Sequence, residues 1–121
     1  FVNMKKDNDI LVRLIVKKTP GKVVYSAVRN QRTAFPVLTC AVSCINGEYR
    51  ASIGARPARA QLYRDENQLI TGDLTTENAK AFAAYVAQKA PTESNVRGSA
   101  AYRTHLTKVL TERSLLELGG I

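Results

Sequence analysis

The sequence has 121 residues, of which 45% are hydrophobic and 23% charged, as is usual for one soluble globular domain. Its 18 basic and 10 acidic residues give a net charge of +8, a balance that is compatible with a polyanionic partner. Apolar runs fall short of the roughly 18 residues of a membrane span, and the polar residues 7–9 do not resemble a signal peptide. We therefore expect no membrane association, and because Phe1 is not an initiator we expect a piece of a longer polypeptide.

Two strands are predicted before residue 30. Residues 10–17 alternate so that every second side chain lies on one continuous apolar face, while the opposite face is mixed. The residues of the apolar face are Ile10, Val12, Leu14 and Val16. A Pro20-Gly21 turn leads to a shorter β-prone run over residues 22–28. A polar connector is predicted at residues 30–34.

The dipeptide Asn46-Gly47 predicts a hairpin, because it favours a two-residue type I′ turn and lies between two β-prone runs. Closing the turn places Ile45 opposite Glu48 and thereby fixes the other pairs. One face is then apolar on both strands: Cys44 with Tyr49, Val42 with Ala51, Cys40 with Ile53, and Leu38 with Ala55. The other face, which solvent or a partner would cover, pairs Ser43 with Arg50, Ala41 with Ser52, and Thr39 with Gly54. Turn chemistry and alternation select the same register.

Three helices are predicted in the C-terminal half. Residues 58–70 place apolar side chains at four- and seven-residue spacings, and residues 75–90 form the clearest amphipathic pattern. The last helix, residues 99–116, begins at Ser99 as N-cap and is closed by Gly119-Gly120. Strands followed by helices predict an α+β fold, with an antiparallel sheet of three to four strands packed on three helices.

The sequence contains no recognisable catalytic constellation. Cys40 and Cys44 would lie about 13 Å apart on one strand face, too far for a disulfide, and with the single His105 they are too few for a structural zinc site. They are expected to be small buried residues of a reducing cytoplasm. Asp65-Glu66 is expected on a solvated surface, and glycine-rich phosphate loops are absent. We predict no catalytic residue and no metal ligand.

Three ordered segments carry a family resemblance over residues 9–116. They are Ala34-Phe35-Pro36-Val37-Leu38-Thr39-Cys40-Ala41-Val42, Ile53-Gly54-Ala55-Arg56-Pro57-Ala58-Arg59-Ala60 and Arg97-Gly98-Ser99-Ala100-Ala101-Tyr102-Arg103. In this order the segments resemble the C-terminal domain of the flavoprotein, or medium, subunit of molybdenum hydroxylases, a family that includes xanthine dehydrogenase and carbon monoxide dehydrogenase. Ala34 stands where the family has an aspartate.

The resemblance implies a domain that packs on one side of FAD, which an upstream domain of the same subunit would mainly hold. Electrons would pass from molybdopterin and iron–sulfur clusters on partner subunits to the flavin. Residues 1–121 would be one non-catalytic domain of that oxidoreductase, located in the cytoplasm. The family's strand lysine would align with Ser26 or Ala27, so Ser26 and Arg29 are the implied flavin-contacting residues. The alternative for Arg29, which the sequence favours, is a solvated arginine at a strand end.

Two other functions remain open from the sequence. The positive charge suits a basic binding module for nucleic acid or for an acidic protein, although the basic residues are scattered and accompany no known nucleic-acid-binding signature. A freestanding small enzyme is the third possibility. Glycine-rich flavin loops encoded upstream of Phe1 would favour the flavoprotein interpretation.

Overall fold

The computed structural model describes residues 10–121 and contains one antiparallel sheet and two helices. The strands are β1 (Lys22–Arg29), β2 (Pro36–Ile45), β3 (Glu48–Gly54) and β4 (Gln61–Arg64), and the helices are α1 (Thr76–Lys89) and α2 (Ala100–Gly119). The order of the strands in the sheet is β1-β2-β3-β4, so each strand pairs with its neighbour in sequence. The predicted α+β class is confirmed, with four strands and, over residues 10–121, two helices.

The β2–β3 hairpin has the predicted register from Ile45↔Glu48 to Thr39↔Gly54. Asn46 and Gly47 both have positive φ, 53° and 78°, as a type I′ turn requires. The predicted Leu38–Ala55 pair does not form. Ala55 has a φ of 57°, so the chain leaves the extended conformation directly after Gly54 and the ladder ends there.

The helices cover one face of the sheet. Helix α2 packs on β1 and β2, and α1 packs on α2. The core consists of inward-facing strand residues and apolar helix residues, among them Leu38, Cys40, Val42, Ile53, Phe82, Val86 and Leu115, all of which are fully buried. The other face of the sheet has no helix over it in residues 10–121, and Tyr25 and Leu62 are exposed there.

The predicted helix over residues 58–70 is wrong. Gln61–Arg64 forms β4 instead, paired with β3 from Arg50↔Arg64 to Ile53↔Gln61. The chain then turns at Asp65, whose carboxylate accepts the backbone N–H groups of Leu69 and Ile70 at 2.9 and 2.8 Å. Sheet pairing therefore prevails over the apolar spacing that suggested a helix.

The predicted strand over residues 10–17 is also wrong, because the structure shows no strand there. The segment has no strand conformation and β1 pairs only with β2, so the segment lies outside the sheet. Its alternation is that of a strand, but residues 10–121 offer it no partner. The strand that was predicted over residues 22–28 is confirmed as β1.

The two remaining helices match their predictions. Thr75 caps α1 in a reciprocal capping box with Asn78, and the side chain of Ser99 accepts from the Tyr102 N–H at the start of α2. Gly120 ends α2 in the left-handed conformation. In residues 10–121 neither helix is apolar over the length that crossing a bilayer requires. Cys40 and Cys44 are both free thiols, and Cys40 is buried as predicted, whereas Cys44 is only half-buried.

Candidate functional site

Three connections meet at one end of the sheet, and each overlaps one of the segments singled out in the sequence. They are residues 30–35 before β2, residues 55–60 after β3, and residues 91–99 before α2. The Asn30 side chain donates to the Arg97 carbonyl at 3.2 Å, and the Glu93 N–H donates to the Arg56 carbonyl at 2.8 Å. The fold thus joins segments that lie far apart in the sequence.

Arg103 holds this end of the molecule together. Its side chain is fully buried, and its guanidinium donates to the carbonyls of Val37, Glu93 and Gly98 and to Asn95 Oδ1, at 2.5–2.9 Å. The acceptors are four oxygen atoms and no carboxylate, so dipoles rather than an opposite charge solvate the buried cation. Arg103 is therefore a structural residue, and its charge is unavailable to a ligand.

The 91–99 connection is a tight loop in front of α2. Asn95 and Gly98 exchange backbone hydrogen bonds of 3.0 and 3.2 Å. Gly98 lies so close to β2 that a Cβ there would be 3.1 Å from Val37 Cγ1, so a larger residue would require Val37 to shift by a few tenths of an ångström. The loop leaves Arg97 at the surface and exposes 99% of Val96.

An open cavity of about 320 Å³ lies between the three connections. Its lining residues are Phe35, Pro36, Ala55, Pro57, Asn95 and Arg97. The Phe35 side chain is 75% exposed, and the Arg97 guanidinium carbon lies 5.2 Å from the centre of its ring. An exposed aromatic ring beside a cation offers both a flat apolar surface and hydrogen-bond donors. A planar, polar-edged ring system is the kind of ligand that such a surface accepts.

The charge at this end is strongly positive. Five arginines belong to the three connections or directly border them, namely Arg29, Arg32, Arg56, Arg59 and Arg97, whereas Glu93 is the acidic residue of these segments. Arg56 is engaged internally, because it donates to the carbonyls of Arg59 and Pro91 at 3.1 and 2.9 Å. The others are exposed, so the field around the cavity favours an anionic ligand or surface.

The structure separates the two residues for which the resemblance implied flavin contact. Ser26 faces α2, where its Oγ lies 3.1 Å from Ser114 Oγ and is half-buried. Arg29 ends β1 and donates to the Ala34 carbonyl at 2.6 Å, which places it beside the connection that carries Phe35. Arg29 is therefore at the cavity end of the sheet, and Ser26 is under the helix. The sequence did not reveal that Phe35 and Arg97 would meet, since they lie 62 positions apart in the chain.

Acid–base and metal chemistry have no visible site in the described residues. Within residues 10–121 no three side chains of His, Cys, Asp or Glu cluster closely enough to hold a metal ion. Asp65 closes a turn, Glu66 accepts from the Tyr85 hydroxyl at 3.2 Å, and His105 is exposed on α2. Burial raises the pKa of the Cys40 thiol, which disfavours a reactive thiolate. A larger cavity of about 520 Å³ lies near residues 21–22 and 118–121, away from the three connections.

Comparison with known proteins identifies relatives of this domain. The family model described as "CO dehydrogenase flavoprotein C-terminal domain" matches residues 23–118. A search of curated protein sequences finds no match. Among solved structures, quinoline 2-oxidoreductase from Pseudomonas putida 86 superimposes with a TM-score of 0.72 at 19% identity. Carbon monoxide dehydrogenase from Hydrogenophaga pseudoflava, in a form that lacks the Mo-pyranopterin moiety of the molybdenum cofactor, gives 0.68 at 18%.

Both alignments cover 83% of this chain but only 37% of the other chain. The sequence therefore spans little more than a third of the length of these structural relatives. At this level of identity, the superpositions establish the fold.

Proposed function

The chain belongs to the CO dehydrogenase flavoprotein C-terminal domain family, and from this premise we propose that it covers one side of FAD in the flavin-binding subunit of a molybdenum hydroxylase. The observation that carries the proposal is the cavity with its exposed Phe35–Arg97 pair. FAD would accept electrons from molybdopterin and iron–sulfur centres on partner subunits. The whole enzyme would resemble xanthine dehydrogenase and would be located in the cytoplasm. This domain would shelter the flavin without carrying out the reaction itself.

The residues that line the cavity fit the isoalloxazine ring of a flavin. Phe35, Pro36 and Pro57 supply apolar surface for a planar ring, and the Arg97 guanidinium supplies donors for the carbonyl oxygens of the pyrimidine edge. Bound flavin supplies the redox chemistry, and this domain's residues supply packing, orientation and exclusion of water. The open shape of the cavity and the lack of a glycine-rich phosphate loop suit a wall rather than a complete binding site.

Of the two residues implied by the resemblance, Arg29 is the one that we retain as a flavin contact beside the cavity. Its guanidinium already holds the Ala34 carbonyl at 2.6 Å, so it can steady the connection that carries Phe35 and still donate outwards. For Ser26, a flavin contact would require the hydroxyl to leave Ser114, which is 3.1 Å away. We therefore propose Arg29, and not Ser26, as the flavin contact.

The contribution of Phe35 can be tested in the subunit purified with its FAD. We expect Phe35→Ala to weaken FAD retention about tenfold, because the aromatic surface is lost. Arg97→Gln should perturb the flavin absorption spectrum, since a cation would leave the pyrimidine edge. Tyr25→Ala is the matched control, because Tyr25 is also an exposed aromatic residue but lies on β1 away from the cavity.

The 121-residue chain alone should show no appreciable affinity for FAD. Tight binding of FAD by this chain, or unchanged FAD retention in the Phe35→Ala subunit, would contradict the proposal.

The grouping of the five arginines at one end favours a second candidate, a module that binds an acidic protein or nucleic acid. For nucleic acid, this candidate predicts that the logarithm of the binding constant falls linearly with the logarithm of the salt concentration, with a slope that reflects the number of phosphates contacted. Replacing Arg32 and Arg59 by Gln would reduce that slope. A flavin-covering domain predicts no such binding to a DNA duplex at physiological salt.

A further inference from the structure

Residues 10–16 leave an unusual amount of apolar surface uncovered. Six of these seven residues are aliphatic, and Ile10, Val12, Ile15 and Val16 are between 80% and 87% exposed. Leu11 and Leu14 are also exposed. Isolated apolar side chains are common on protein surfaces, but a contiguous run of this kind indicates a surface that a partner covers.

We propose that residues 10–16 form a β-strand of the sheet in the N-terminal, flavin-binding part of the same subunit, an assignment that rests on the proposed function. The alternation of this segment is that of a strand, and one of its faces is wholly apolar. The other face adds Leu11 and Ile15 around Arg13, so both faces require cover. Strands with nearly continuous apolar sequence lie inside sheets that are layered on both faces.

The sheet of this domain does not meet that requirement. β1 is an edge strand, and the short connection 18–21 leads directly to it from the segment. However, the face of the sheet opposite the helices is open, with Tyr25 61% exposed. A strand added beside β1 would keep one of its apolar faces in water, and the structure places the segment outside the sheet.

A second copy of this chain is also a poor partner. Each chain carries a net charge of +8, and Arg13, Lys17 and Lys18 lie within or next to the segment, so an ordered strand ladder between two copies would place like charges close together. The family match begins at residue 23, which places the segment outside the matched domain. A sheet joined to the segment through the chain itself would have a high effective concentration and would pair with it first.

Hydrogen exchange measured by mass spectrometry tests the assignment. In the whole subunit, purified with FAD, the amides of residues 11–17 should exchange at least a hundredfold more slowly than in the 121-residue chain, because a sheet ladder protects them. Equally fast exchange in both would overturn the assignment. Protection that appears in the 121-residue chain as its concentration rises would also overturn it, because the partner would then be a second copy.

Substitutions within the segment give a second readout in the whole subunit. Leu14→Asn places a polar group on the wholly apolar face and should restore fast exchange and tryptic cleavage after Lys17. Arg13→Asn, on the mixed face, is the matched control and should leave both unchanged. Cleavage that does not respond to Leu14→Asn would contradict the strand.

The flavin content of the same samples separates this inference from the function on which it rests. A full complement of FAD with an unprotected segment would refute the strand and leave the proposed function standing. A protected segment in a subunit that binds no FAD would refute the proposed function, and the strand would then belong to a different N-terminal partner.

Discussion

At the scale of single residues, Arg103 shows how a charge can serve structure alone. Its guanidinium is fully buried and is surrounded by three carbonyls and one side-chain amide oxygen. Arginine suits this role because its planar group presents several donors in fixed directions. The sequence drew attention to the segment from Arg97 to Arg103, but it could not show which arginine is buried and which is exposed. That distinction depends on β2 passing beside α2.

Replacing Arg103 tests its structural role. We expect Arg103→Met to lower the free energy of unfolding by about 3 kcal/mol, because several buried acceptors would lose a charged donor. Arg113→Met, on the exposed side of the same helix, is the control and should change stability by less than about 0.5 kcal/mol. Urea unfolding followed by circular dichroism measures both. Equal effects of the two substitutions would show that Arg103 does not hold the connections together.

At the scale of secondary structure, the sequence predicted elements whose signals are local. The Asn46-Gly47 turn and the alternation around it determine the hairpin register, and the caps Thr75 and Ser99 mark the helix starts. Strand β4 was missed because only four residues form it, and its support comes from pairing with β3. Residues 10–17 alternate as a strand does, but the structure shows no strand there, because alternation alone does not supply a pairing partner.

The link between the hairpin and β4 makes stability depend on pH. Glu48 accepts hydrogen bonds from Arg50 and, at 2.8 Å, from Arg64, and these bonds hold the pKa of its carboxyl below the ordinary 4.5. The folded state thus favours the ionised form, so this stabilisation is present above pH 4.5 and is lost as the pH falls through the lowered value. The contribution is small because the group is solvent-exposed.

An NMR titration of the Glu48 side chain checks this dependence. We expect a midpoint below 4.5 in the parent chain, and a midpoint that moves up towards 4.5 in Arg64→Ala. Arg113→Ala lies on α2, away from the hairpin, and should leave the midpoint where it was. A midpoint that does not respond to Arg64→Ala would mean that the ion pair is absent in solution.

At the scale of the whole molecule, the candidate site is a product of topology. Antiparallel strands bring the end of β1, the start of β2 and the end of β3 to one end of the sheet, and α2 begins there as well. The α+β class follows from the order of the elements in the sequence. The cavity does not, because Phe35, Pro57 and Arg97 come from three connections whose relative position no local pattern encodes.

Removing residues 1–17 tests how independent the domain is. The described aliphatic residues of this stretch are exposed, so their removal should shift the melting temperature by no more than about 2 °C. The shortened chain should also be more soluble, because less apolar surface is free to associate. Calorimetry and light scattering measure the two effects.

The 121-residue chain in which Val12 and Val16 are replaced by Thr, which is similar in shape, should show the same gain in solubility. A fall in melting temperature of more than about 5 °C on truncation would mean that the segment packs on the domain in solution.

The position of Arg103 has one more consequence, for how this end of the protein can diversify. The scaffold of the cavity depends on an interior side chain, whereas Phe35, Pro57 and Arg97 contribute its surface. Homologous domains could therefore differ in these surface side chains, and so in the ligand that they prefer, while the buried hydrogen bonds of Arg103 stay the same.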